Sequence, residues 1–314
     1  TPRRQGRFDV SGALTSSIGM TGIVLGLVEA GTEGWGRPLT VGSLVLGAAL
    51  LGLFVLNESR VEEPILPLRL LAHATRSSAN IARGLVYAGM YGSFFFLSQF
   101  MQDVQHYDPL RAGVAFLPWP AAVFLSSQLT SRVLVRRLSQ RVVMISGIAL
   151  GAFGLVIASM LHAGTPYPQI LVSVVLIGSG MGMAFVTLTT ASLTDVEPGD
   201  IGAASGLINV SQQLGAALGL AVLVTVFGVA TGHVQLRPAP AGAGRTVLDQ
   251  VHALVVRGLH DVFGLGVLIA VSAIVLVAAG VRRQPVEVGA ADVDIGTEEA
   301  DFDLMSERRV AEAG

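Results

Sequence analysis

The chain contains no cysteine and no lysine. The first absence removes disulfides, thiolate metal sites and cysteine nucleophiles. The second makes arginine the sole fixed side-chain cation and reads as a bias of genomic composition rather than a functional device. Charge of any kind is sparse, at 13% of residues against roughly 25% in soluble domains, which is too little to cover a water-facing surface. Aromatic residues are also few, at 6%, so any that cluster stand out. The chain is filled instead with apolar residues, 52% of the total, and 38 glycines. A bilayer has to be its solvent.

The apolar residues gather in eight stretches near 11–29, 40–56, 79–101, 112–134, 142–161, 169–193, 202–230 and 259–281. A hydrocarbon core about 30 Å thick needs about 20 helical residues at about 1.5 Å rise each. The runs are continuous rather than alternating over ten-residue segments, which favours helices over barrel strands. The expected fold class is an all-α polytopic membrane protein with eight transmembrane helices.

Arginine sets the orientation, because short loops rich in Arg stay in the cytoplasm. With the amino end inside, the inner segments hold Arg3, Arg4, Arg7, Arg60, Arg69, Arg76, Arg132, Arg136, Arg137, Arg141, Arg282 and Arg283. The outer segments hold only Arg37, Arg111, Arg237, Arg245 and Arg257. Both termini are therefore expected in the cytoplasm, with the chain in the inner (plasma) membrane. One inner loop, Thr194 to Ile201, carries no arginine, so the rule holds on the sum and not at every loop.

Three regions are expected. Residues 1–78 comprise a two-span hairpin with a Gly-rich outer turn around Trp35, then a cytoplasmic connector. In the connector, Ile65 to Leu71 reads as an amphipathic segment along the membrane face. Gly22 and Gly26 in the first span have the spacing that lets another helix approach closely, a spacing also met by chance in so glycine-rich a chain. Residues 79–283 form a six-span unit, and residues 284–314 an acidic tail expected to be disordered.

Within the six-span unit the polar residues are unequally shared. Asn80, Arg83, Tyr87, Tyr91, Ser98 and Gln102 recur at helical spacing on one face of the third span, with Phe94 and Phe95 between them. The fourth span has Trp119 between two prolines, then Ser126, Ser127 and Gln128. The sixth carries a Gly178-Ser179-Gly180-Met181-Gly182 string and Thr187, Thr189 and Thr190. The seventh carries Ser205, Asn209, Ser211, Gln212 and Gln213, whereas the fifth and eighth are nearly bare of polar groups. Polar groups are costly in hydrocarbon unless they line water or bond to a partner. Four helices are thus expected to face something wet and two to face lipid; alternatively, the polar residues bond helix to helix. No Asp or Glu lies at mid-depth in any span.

Particular strings resemble the fourteen-span drug/proton antiporter branch of the major facilitator superfamily. His106 to Pro118 is similar to that branch's outer loop and following helix, Pro64 to Arg69 to the connector after its extra hairpin, and Gly202 to Gly215, more specifically, to its thirteenth span. The resemblance covers residues 8–283 and implies family spans seven to fourteen. Six amino-terminal spans are then absent, together with the membrane carboxylates the family uses for proton coupling. The start at Thr1 rather than Met agrees with the expectation of a longer protein.

The function implied is the carboxy-terminal part of a proton-coupled multidrug exporter working by alternating access. It is not an enzyme, has no cofactor and draws its energy from the proton gradient. Its partners would be lipophilic or cationic small molecules, protons, the lipid bilayer and the missing half, with no role for nucleic acid. The substrate pathway would be lined by Tyr87, Tyr91, Phe94, Phe95, Trp119, Asn209 and Gln213, the rings attracting drugs by dispersion and cation–π interaction. Asn209 and Gln213, one turn apart, would bond to substrate or to the third span. Arg83, about one turn inside the third span, either snorkels to the interface or acts as an electrostatic element near the inner gate. Leu134, Arg137 and Arg141 fit a degenerate copy of the family's loop motif, whose Asp is replaced by Arg136. That loss favours a plain basic loop over a charge relay.

Two other readings stand beside this one. The chain could be a non-transporting membrane scaffold or gene remnant. An intramembrane serine protease would need Ser and His at one depth, yet all six histidines fall in loops or at expected span ends.

Overall fold

The computed structural model describes residues 10–58, 60, 69–231 and 245–281. The expected acidic tail, Arg3, Arg4, Arg7, Arg237, Arg282, Arg283 and most of the amphipathic connector lie outside those residues. All regular structure among the described residues is helical. Helix α1 is Val10–Thr32, α2 Pro38–Glu58 and α3 the single turn Arg69–Ala72. Helix α4 runs over residues 74–104, α5 is Pro109–Arg137, α6 Gln140–Ala158 and α7 Tyr167–Ser192. Helix α8 is Ile201–Ala230 and α9 Arg245–Gly280.

Seven of these helices are long and apolar enough to cross a membrane. The remaining expected span, the third, lies within α4, which is continuous but more polar. It alternates α turns with π turns at Tyr87–Tyr91 and Phe100–Val104. The second span is longer than expected, and α9 begins well before residue 259. His260 consequently lies inside a helix, with its ring 3.4 Å from the Leu161 carbonyl.

Glycine sets the helix crossings. Gly22 faces Gly47 and the Ser43 carbonyl of α2, and Gly26 faces Ser43 and Leu44, so the small-residue spacing in α1 serves the hairpin itself. Gly180 of α7 meets the backbone of Gly147 and Gly151 of α6, and Gly178 and Gly182 meet α5. The glycine string of the sixth span is thus a packing surface. Around it lies a core of Met90, Phe96, Phe100, Met144, Ile148, Leu155, Ile177, Leu188 and Phe263, all buried.

The hairpin leans on α8. The Trp35 indole donates to Thr225 Oγ1 at 2.7 Å, and Gly31 packs on Ala221. At the opposite end of α8, Arg69 reaches Asp200 at 2.7 Å and Glu197 at 3.8 Å. Arg76 donates to the carbonyls of Thr194 and Asp195, and His73 lies 3.7 Å from the Asp195 carboxylate. The arginine-free loop therefore takes its positive charge from another segment: its three acids face the α3–α4 connector.

Candidate functional site

Helix α4 carries the site. Its π turn covers the segment with Tyr87 and Tyr91, and such turns widen a helix locally and recur at functional positions. Aromatic rings continue from there in an unbroken column. Tyr87 and Tyr91 have centroids 6.1 Å apart, Tyr91 and Phe94 6.4 Å, and Phe94 and Trp119 of α5 5.3 Å. Phe116 joins at 4.6 Å from Phe94. Sequence reasoning passed over Phe116, although it lies one turn before Trp119 on the same helix line. Tyr91 is 52% exposed, while Tyr87 and Trp119 are buried and Phe94 is half-buried. Phe95, also exposed, departs from the column and stacks edge-on to Phe96 at 5.3 Å.

One turn below Tyr87 lies Arg83, and the snorkelling reading fails there. Its side chain is 0% exposed. The Nη2 group donates to Thr189 Oγ1 of α7 at 2.9 Å, and the guanidinium lies 5.8 Å from the centre of the Phe185 ring. Neither Nε nor Nη1 has a hydrogen-bond acceptor. A buried guanidinium bonded through only one of its three nitrogens is an unbalanced charge, costly in a low-dielectric interior. Phe185 and Thr189 were not foreseen as its neighbours, because they belong to the sixth span and only the fold brings them together.

The other expected residues are dispersed. Asn209 and Gln213 are exposed on α8 and make no hydrogen bond to α4. The two helices meet instead where Gly215 touches Gly84 and Gly219 touches Ala88. Arg137 is exposed at the end of α5. Arg141, half-buried, donates to the Ala278 carbonyl and ties the start of α6 to the end of α9. That contact is a helix-end cap of the kind a cation makes with C-terminal carbonyls.

The polar residues thus divide between the two readings. Thr187, Thr189 and Thr190 each bond a carbonyl one turn back on α7, Gln102 bonds Ser98 within α4, and Ser127 crosses from α5 to the Gly182 carbonyl. Those groups satisfy themselves within the protein. Arg83 is not satisfied in this way. Among the described residues no three His, Asp or Glu side chains converge as a metal site.

Comparison with known proteins gives a consistent picture. The family model of the Major Facilitator Superfamily matches residues 2–220. The puromycin resistance protein pur8 of Streptomyces alboniger is 34% identical over 298 residues, covering 93% of this chain and 58% of that protein. The cephamycin export protein CmcT of Amycolatopsis lactamdurans is 35% identical over 227 residues, covering 72% of this chain and 47% of its own length. The multidrug resistance protein Stp of Mycobacterium tuberculosis is 30% identical over 252 residues, covering 79% and 47%. The chain therefore spans about half the length of the curated relatives it matches.

Proposed function

The chain belongs to the Major Facilitator Superfamily, and on that premise we propose that it is the carboxy-terminal part of a proton-coupled multidrug exporter. It supplies one wall of a mid-membrane cavity that opens alternately to each side. Residues 1–78 form the extra hairpin with its connector, residues 79–283 the transport half and residues 284–314 a cytoplasmic tail. Both termini lie in the cytoplasm, and the protein sits in the plasma membrane. The proton-coupling carboxylates belong to the preceding spans, so these residues alone do not transport.

The observation that carries this reading is the aromatic column standing on a buried, under-bonded arginine. A run of rings with one exposed member offers flat apolar faces and quadrupole attraction to lipophilic cations, without the directional bonds that would restrict substrate choice. The name of each relative above speaks of resistance or export. Arg83 serves as the charge at the inner end of the column, and its free nitrogens take a carboxylate from the preceding half. Asn209 and Gln213, exposed and unbonded, add polar contacts to the substrate path. Arg137 and Arg141 belong to a basic inner loop that fixes the topology.

The test is binding of tetraphenylphosphonium to the purified chain by equilibrium dialysis. Replacing Tyr91 and Phe94 together with alanine is expected to weaken binding about tenfold, at roughly 0.5–1 kcal/mol for each exposed cation–π contact. Binding unchanged in that variant would remove the aromatic column from the substrate path.

A further inference from the structure

A cavity of about 840 Å³ lies between the hairpin, α4 and α8. None of Tyr87, Tyr91, Phe94 and Trp119 borders it. Its walls are mainly aliphatic, with Ile23, Leu27 and Leu44 from the hairpin, Ile81 from α4 and Leu214 and Leu218 from α8. The volume falls within the roughly 300–1,000 Å³ typical of small-molecule sites.

Three polar side chains, Ser77, Asn80 and Ser211, break the apolar lining. Asn80 borders the cavity, is only 4% exposed and gives its amide N–H to the Arg76 carbonyl at 3.1 Å. No protein group donates to its Oδ1. Ser77, also on the wall, already donates to the Leu71 carbonyl. A buried acceptor left unpaired is costly, and its chemistry selects the occupant. An anion would be repelled by the carbonyl oxygen, and a cation would find no carboxylate among the lining residues. A purely apolar molecule would leave the acceptor unpaired.

We propose that this seam binds a largely apolar, uncharged molecule that dissolves in the bilayer and carries one O–H or N–H donor, which it gives to Asn80 Oδ1. Entry is lateral, because the hairpin forms one side of the cavity. The donor could be carried by a membrane lipid with a free hydroxyl or by a lipophilic solute; the chemistry at Asn80 is the same. The site stands apart from the aromatic column and does not depend on the transport reading.

The experiment uses the purified chain in lipid nanodiscs and a long-chain alcohol bearing a diazirine, with its methyl ether as the matched probe without a donor. After irradiation, labelled peptides are mapped. The alcohol is expected to label residues 77–88 and 207–218 about fivefold more than the ether, the worth of one neutral hydrogen bond. Asn80→Leu should bring alcohol labelling down to the ether level. Leu218→Trp, which fills the cavity from the opposite wall, should suppress both probes. Displacement of the alcohol by diacylglycerol identifies a lipid as the source, and displacement by a lipophilic phenol identifies a solute. Displacement by neither overturns the proposal, as do equal labelling by alcohol and ether in the unmodified chain and labelling confined to other segments. Should Asn80→Leu fail to fold, the alcohol-to-ether ratio in the unmodified chain and the Leu218→Trp variant still decide the matter.

Discussion

Arg69 and Asp200 are joined at 2.7 Å across 131 positions of sequence, tying the connector that follows the hairpin to the entry of α8. The pair is partly exposed, so its worth is small, about 0.2–1 kcal/mol. Asp200→Arg places two cations together and should lower the unfolding temperature of the detergent-solubilised chain. Combining it with Arg69→Asp should restore most of the loss. Intrinsic tryptophan fluorescence during heating measures both, and no recovery in the double variant would show that the pair does not couple.

Arg83 costs stability as it stands. Arg83→Met keeps much of the side-chain volume and removes an unbalanced buried charge. It should stabilise the isolated chain by roughly 1–3 kcal/mol. In a full-length transporter, where a carboxylate of the preceding half pairs with it, the same substitution should abolish export. Thermal unfolding checks the first outcome and dye export the second.

The crossing of α4 and α8 leaves no space for a side chain at Gly215, where a Cβ would run into the backbone of Gly84. Gly215→Val should therefore destabilise by roughly 2–3 kcal/mol or more and reduce the monodisperse fraction in size-exclusion chromatography. Gly206, on the same helix, has nothing within 4 Å of an added Cβ. Gly206→Ala should be neutral or stabilising by about 0.5–1 kcal/mol through the better helix propensity of alanine.

The indole of Trp35 is one of the contacts that couple the hairpin to the six-span unit, beside that of Gly31 with Ala221. Thr225→Val keeps the shape of the side chain but removes the acceptor for its 2.7 Å hydrogen bond. A loss of about 0.5–1.5 kcal/mol is expected, together with a red shift in tryptophan emission as the already exposed ring is released. An unchanged spectrum would show that the hydrogen bond to Thr225 does not hold the indole in place.

The helices were legible in the sequence because hydrocarbon demands long apolar runs, and the π turns of α4 were not, since nothing in the spacing of Tyr87 and Tyr91 marks them. The aromatic column follows from helical periodicity on α4 and the position of Trp119, whereas Phe116, a lone ring in an apolar run, carries no local mark and joins the column only through its contact with Phe94. Arg83 stands out in the sequence as the ionisable residue well inside a span. Its burial could not be foreseen, because depth along one helix says nothing about which neighbour covers the side chain. Arg141 resembled a loop-motif residue and turned out to hold a helix end. The arginine-free loop has its acids beside Arg69 and His73 and two of its carbonyls on Arg76, contacts made in space that no local stretch of sequence displays.

Export of ethidium by energised cells tests most directly whether these residues form one wall of a two-part transporter. Cells making residues 1–314 alone should retain the dye as cells without the chain do, and cells making them joined to six preceding spans should expel it in a manner collapsed by a protonophore. Energised export by residues 1–314 alone would contradict the half-transporter reading.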